Sequence, residues 1–193
     1  GTAEGGMGLR EMNEVAVNAP LMTADIAALN ADGCTPWSES MYEAYLYLSG
    51  GSVNYGLTSR RDSSATGSLP SILNSRDPAN TGLYNSPLTT SCQRNFIVLL
   101  TDGLPTADTS ADSAIEALIG RSCAGTDSGR CLEEIAEYMY TNDLRSPTPA
   151  AKKTRSTKST RMTMTIANRA MIATAIGIAR AIEAQNAQTV AAS

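Results

Sequence analysis

The feature that most constrains this chain is Phe96-Ile97-Val98-Leu99-Leu100, five consecutive apolar residues that stop abruptly at Thr101-Asp102-Gly103. Five residues are too few for a buried helix. An unbroken apolar run of this length reads as a strand covered on both faces, of the kind found in the middle of a parallel sheet. The run therefore predicts an aspartate, Asp102, at the carboxyl end of a central strand. Two helical patterns follow. One runs from Ser110 to Ile119 and stops at Gly120, with Asp108-Thr109-Ser110-Ala111-Asp112 as its cap. The other runs from Cys131 to Leu144, with Leu132, Ile135, Ala136, Met139 and Tyr140 on one face and Glu133, Glu134 and Glu137 largely off it. Strand, acidic loop, helix, helix is the order of an α/β domain.

Upstream, Met22, Ile26 and Leu29 predict a short amphipathic helix ended by Asp32-Gly33. Gly33-Cys34-Thr35-Pro36 is then a tight loop feeding a second helix. Thr35 is placed to be its N-cap and Pro36 its first residue. The apolar face of that helix is Trp37, Met41, Ala44, Tyr45 and Leu48, ending at Gly50-Gly51. From 50 to 91 no periodicity survives, and 26 of these 42 residues are Gly, Ser, Thr, Asn or Pro. A connection this long reads as a polar surface loop that carries function or lacks order, so its deletion is expected to leave the fold intact.

Charge divides the chain. Residues 1–151 hold eight arginines and no lysine against 18 acids, a net −10. Residues 152–193 hold seven basic residues, including all three lysines (Lys152, Lys153, Lys158), against Glu183, a net +6. The jump predicts a domain over 1–150 and a separate 151–193 segment, a basic linker over 151–160 followed by a helix or a strand and helix. Residues 162–190 have loosely helical spacing (Ile172, Ile176, Ala179, Ile182), while Met162-Thr163-Met164-Thr165-Ile166 alternates like a half-buried strand; both readings stay open.

Several functions are excluded or disfavoured. The chain has no histidine, which removes Ser-His-Asp and Cys-His nucleophiles, His-ligated zinc and an imidazole proton switch. The acidic body argues against nucleic acid as a partner. No stretch of 18 apolar residues exists, so no membrane insertion is expected. Cys34, Cys92, Cys123 and Cys131 contain no Cys-x-x-Cys pair, so a zinc ribbon or a thioredoxin-like motif is not written here. The low aromatic and charged content and the cysteines together point to an oxidising, extracellular location. Four cysteines allow three connectivities. Cys123 and Cys131 bracket a Gly/Ser/Asp turn that can close a small loop, and Cys34 and Cys92 would then tie two distant segments.

Thr35 and Asp102 are the residues weighed together for chemistry. Ligands of open α/β sheets bind beyond the carboxyl ends of the strands. A threonine hydroxyl and a carboxylate meeting there are hard oxygen donors suited to Mg²⁺, with Ca²⁺ and Mn²⁺ as alternatives.

The segments Asp32–Ala44, Cys92–Thr106, Gly120–Cys123 and Cys131–Arg145 resemble, in that order, a von Willebrand factor type A domain of the kind found in PilY-type proteins. Those are tip-associated adhesins and assembly factors of bacterial type IV pili. The resemblance spans residues 20–147. It implies a Rossmann-like, mostly parallel central sheet flanked by helices, and a metal-ion-dependent adhesion site. In such sites an Asp-x-Ser-x-Ser loop, a Thr and an Asp from three loops hold one divalent cation. The Thr corresponds to Thr35 and the Asp to Asp102. The first loop has no counterpart, so the domain is expected to be incomplete at its N-terminus and its cation weakly bound.

The resemblance further implies a cell-surface protein exported through the periplasm to the pilus tip or outer membrane. It would act in pilus biogenesis, surface attachment and twitching motility, binding an acidic group of a protein ligand, pilus subunits or other parts of the same protein. The expected role is non-enzymatic. Two alternatives are a filament or matrix subunit that has lost the metal site, and a Mg²⁺-dependent hydrolase using Asp102. The second lacks any Gly-rich phosphate cradle.

Overall fold

The computed structural model describes residues 5–6, 8–27, 34–57, 73–90, 93–101, 103–144 and 162–167. Its elements in chain order are α1 (Val15–Ala27), α2 (Trp37–Ser49), β1 (Asn95–Leu100), α3 (Asp112–Ile119), α4 (Leu132–Thr141) and β2 (Met162–Ala167), with single 3-10 turns at Tyr55–Leu57 and Leu73–Ser75. The chain divides into two compact units. Gly1–Asn95 with Pro105–Met162 forms one, and Phe96–Leu104 with Thr163–Ser193 the other. The domain boundary expected near 150 falls among residues outside the described ones.

In the first unit α2 packs on α4, and α4 on α3. The apolar spacing read from the sequence produces this core: Met41 and Leu48 of α2, Ala111 and Ile115 around α3, and Leu132, Ile135 and Met139 of α4 are buried. Tyr45 of α2 meets Tyr138 of α4 edge-on, with ring centroids 5.8 Å apart. Burial, with Tyr138 and Tyr42 close by, pushes the Tyr45 phenol up to about 12. Both predicted glycine stops hold, since Gly50 and Gly120 end α2 and α3 in left-handed conformation at φ 72° and 74°.

Of the three acids, Glu133 and Glu137 are exposed as expected and one departs. Glu134, placed off the apolar face of α4 by its spacing, is buried. Its Oε1 accepts from the Ala124 amide at 2.7 Å, because the Cys123–Arg130 turn folds over that side of the helix.

The polar stretch 50–91 is also corrected. Its described residues contribute Val53, Tyr55, Tyr84 and Leu88 to the core. Antiparallel bridges join Ser52 to Leu83 and Arg76 to Tyr84. Residues 54–56 and Tyr84 are held by one buried side chain of α2: the Glu43 carboxylate accepts from the amides of Asn54 (3.1 Å), Tyr55 (2.9 Å) and Gly56 (3.1 Å) and from the Tyr84 hydroxyl (2.5 Å). Four donors on one carboxylate replace the water that burial removes. Deleting 50–91 therefore removes part of the core and leaves Glu43 buried without partners.

Helix α1 begins earlier than Met22 and carries Pro20 within it. Met22 and Ile26, expected to face a core, are exposed. Its buried residues are polar: Asn18 donates to the Glu11 carbonyl, and Asp25 pairs with Arg10 at 2.5 Å.

In the second unit β1 pairs with β2 in a two-stranded sheet. The strand readings of Phe96–Leu100 and of Met162–Ile166 both hold; the helical alternative over 162–190 therefore fails over 162–167, and the rest of it lies outside the described residues. Coverage of β1 on both faces does not hold. Phe96, Val98 and Leu100 are 61, 60 and 52 % exposed, while Ile97 and Leu99 between them are half-buried. The strand presents one face to solvent although its sequence does not alternate.

Candidate functional site

The loop leading into α2 sits against the loop leading into α3. Thr35 forms an antiparallel bridge with Thr106, its amide donating to the Thr106 hydroxyl at 3.3 Å. Thr35 is half-buried and is not the N-cap of α2. Pro36 occupies that position and offers no side-chain acceptor. The amides of a helix's first turn need acceptors, and here one comes from 70 residues away. The Ser38 amide donates to both Oδ1 and Oδ2 of Asp108, each at 2.9 Å. Asp108 is thus a helix cap, as its sequence suggested, but of α2 rather than α3. The N-cap position of α3 is Ala111, without a side-chain bond.

The backbone just before Asp108 is strained into this role. Ala107 has φ 54°, a left-handed conformation that costs an L-residue about 1 kcal/mol. On the far side, the Gly129 amide donates to the Asp108 carbonyl at 2.8 Å. Gly129 has φ 77°, and a Cβ there would lie 2.5 Å from Pro105 Cγ, so the turn before α4 closes on Asp108 only with glycine.

Beside Asp108 lies Glu39. Both are fully buried. The Ser110 amide and hydroxyl donate to Glu39 Oε1 at 3.0 and 2.7 Å. The pairing is reciprocal: the amide next to Glu39 binds Asp108, and the amide two residues after Asp108 binds Glu39. Glu39 Oε2 has no N–H or O–H donor, and neither does the buried Ser38 hydroxyl. Burial, and then the Asp108 carboxyl hydrogen-bonded to it, raise the Glu39 carboxyl to about 7.

Of the residues singled out from the sequence, Thr35 lies in this edge, and Asp102 and Cys92 lie outside the described residues. Cys123 and Cys131 form a disulfide, with Cα atoms 5.2 Å apart. Cys34 is an exposed free thiol. The partner expected for it, Cys92, lies outside the described residues.

Among the described residues, Glu116, Cys123 and Cys131 bring ligand-type atoms within 4.8 Å of one another. The two sulfurs are bonded to each other, however, and Glu116 Oε1 accepts from the Cys123 amide (3.0 Å) and Arg130 (3.2 Å). In this disulfide state the group does not fit a cation. Thr35 does fit the donor type that Mg²⁺ takes, a neutral hard oxygen, but it supplies no charge of its own.

Glu39 and Asp108 were not identified as partners from sequence. The only hint is that Glu39 and Glu43 fall one turn apart near the start of a helix whose apolar stripe lies elsewhere. No helix among the described residues is long and apolar enough to cross a membrane. Compared with protein-family models, with curated proteins and with solved structures, the chain gives no match.

Proposed function

We propose that this chain is an adhesion and protein-binding module of the von Willebrand A type, from a type IV pilus-associated surface protein, and that it acts without catalysis. The observation that carries this reading is the Thr35–Thr106 bridge. It joins the loop before α2 to the loop before α3, and this supports a reading in which Thr35 lies at a loop-built edge. The cation would be Mg²⁺, with Ca²⁺ or Mn²⁺ as substitutes, held by Thr35 and Asp102 and completed by an acidic group of a protein ligand. The Cys123–Cys131 disulfide supports an oxidising, extracellular setting.

With one hydroxyl and one carboxylate the site binds its cation weakly, on the order of millimolar. The test is titration of the chain with Mn²⁺, read as paramagnetic broadening of amide signals. Broadening centred on Gly103 and Thr106, and lost in Thr35→Ala and Asp102→Ala, is expected. Broadening that ignores both substitutions overturns the reading.

A structural filament or matrix subunit is the second reading. The exposed Phe96, Val98 and Leu100 of β1 favour it, since such an apolar row suits burial in an assembly.

A further inference from the structure

Two fully buried carboxyl groups meet at the first turn of α2 with no cation among the described residues to neutralise them. Arg130 is committed to Asp112 (2.6 Å) and Glu116 (3.2 Å) on α3, and Arg121 lies by Glu134 (3.6 Å) and Glu137 (3.4 Å) on α4. On α2 itself, Glu43 is bonded to Asn54, Tyr55, Gly56 and Tyr84. From the first 3-10 turn, the Tyr55 hydroxyl lies 3.3 Å from Ser110 Oγ. Glu39 Oε2 has no donor, and the Glu39 and Asp108 carboxyls lie within hydrogen-bonding reach of each other. Two bare negative charges in contact without solvent repel strongly, and retaining one proton between them removes that cost.

We propose that Glu39 and Asp108 share a single proton, and that this proton latches the first turn of α2 to the loop leading into α3, so that the Thr35–Thr106 edge beside it loosens when the proton leaves. Each carboxyl also receives an amide from the other's segment, Ser110 to Glu39 and Ser38 to Asp108, so the shared proton closes a ring that already joins the two segments. The strain at Ala107 adds a force that opens the ring once the proton is gone.

The direction of the pH effect follows from the carboxyl that is raised. With Glu39 near 7 in the closed state, against 4.5 for an ordinary glutamate, the closed state binds more protons than the open one between those values. Closure therefore weakens as pH rises through that window and changes little above it. The latch does not depend on what the Thr35 edge binds, so failure of the adhesion reading leaves it standing.

The test is hydrogen exchange of the Ser38 and Ser110 amides across pH, corrected for intrinsic exchange. In the unaltered chain, protection is expected to fall about tenfold per pH unit between about pH 5 and 6.5 and to level off above about pH 7. In Glu39→Gln the carboxamide N–H replaces the shared proton, and the profile should be flat. Asp108→Asn keeps an acceptor for the Ser38 amide and removes the second charge, but burial still raises Glu39, so a shallower fall over a narrower pH window is expected. A flat profile in the unaltered chain, or a fall in Glu39→Gln as steep as in the unaltered chain, overturns the proposal. If neither variant folds, ¹³C titration of the Glu39 carboxyl in the unaltered chain decides: a midpoint near neutrality supports the latch, and one near 4.5 overturns it.

Discussion

Glu39 and Glu43 sit one turn apart on α2, both buried, yet the surroundings treat them in opposite ways. Glu43 receives three amides and a hydroxyl, so its charge is distributed over four fixed donors. Glu39 receives donors on one oxygen only and has a second acid as its hydrogen-bonding neighbour. Burial alone therefore says nothing about what a carboxylate does. The count and sign of its neighbours separate an anchor, which organises a loop, from a proton-dependent contact between two segments.

Substitutions can break or sharpen this contrast. The largest effect is expected at Glu43→Ala, which leaves the buried amides of Tyr55 and Gly56, the Asn54 amide and the Tyr84 hydroxyl without this acceptor. Chemical denaturation should show a loss of about 3–4 kcal/mol, and a loss below about 1 kcal/mol would mean that the 51–57 segment does not need its anchor. Tyr84→Phe removes one of the four donors and keeps the ring that meets Tyr47 edge-on. Its expected cost is about 1–2 kcal/mol by the same measurement. The smallest change is at the other carboxyl: Ala107→Gly relieves the left-handed strain that aims Asp108 at α2, and should stabilise by about 0.5–1 kcal/mol. A destabilisation there would show that the Ala107 methyl packs rather than strains.

Local features were legible in the sequence, and distant pairings were not. Periodicity located α2 and α4, and the glycines at 50 and 120 marked helix ends, because each depends on residues within one or two turns. The cap of α2 was misread because Thr35 is a good capping residue by type, whereas the acceptor comes from Asp108 across 70 residues. The described residues of 50–91 show no periodicity because their order comes from Glu43, a residue outside them. β1 was recognised as a strand, but an apolar run does not reveal which of its faces is covered. Of the candidate site, the sequence located the Thr35 loop and missed the Glu39–Asp108 pair that braces it, since an acid in a helix's first turn ordinarily reads as a dipole partner.

The most direct measurement is the urea unfolding free energy of the unaltered chain and of Glu39→Gln, each at about pH 5 and about pH 8. A proton shared in the folded state predicts that the unaltered chain loses on the order of 2–3 kcal/mol over this range relative to the variant. Parallel pH dependence in the two proteins would contradict it.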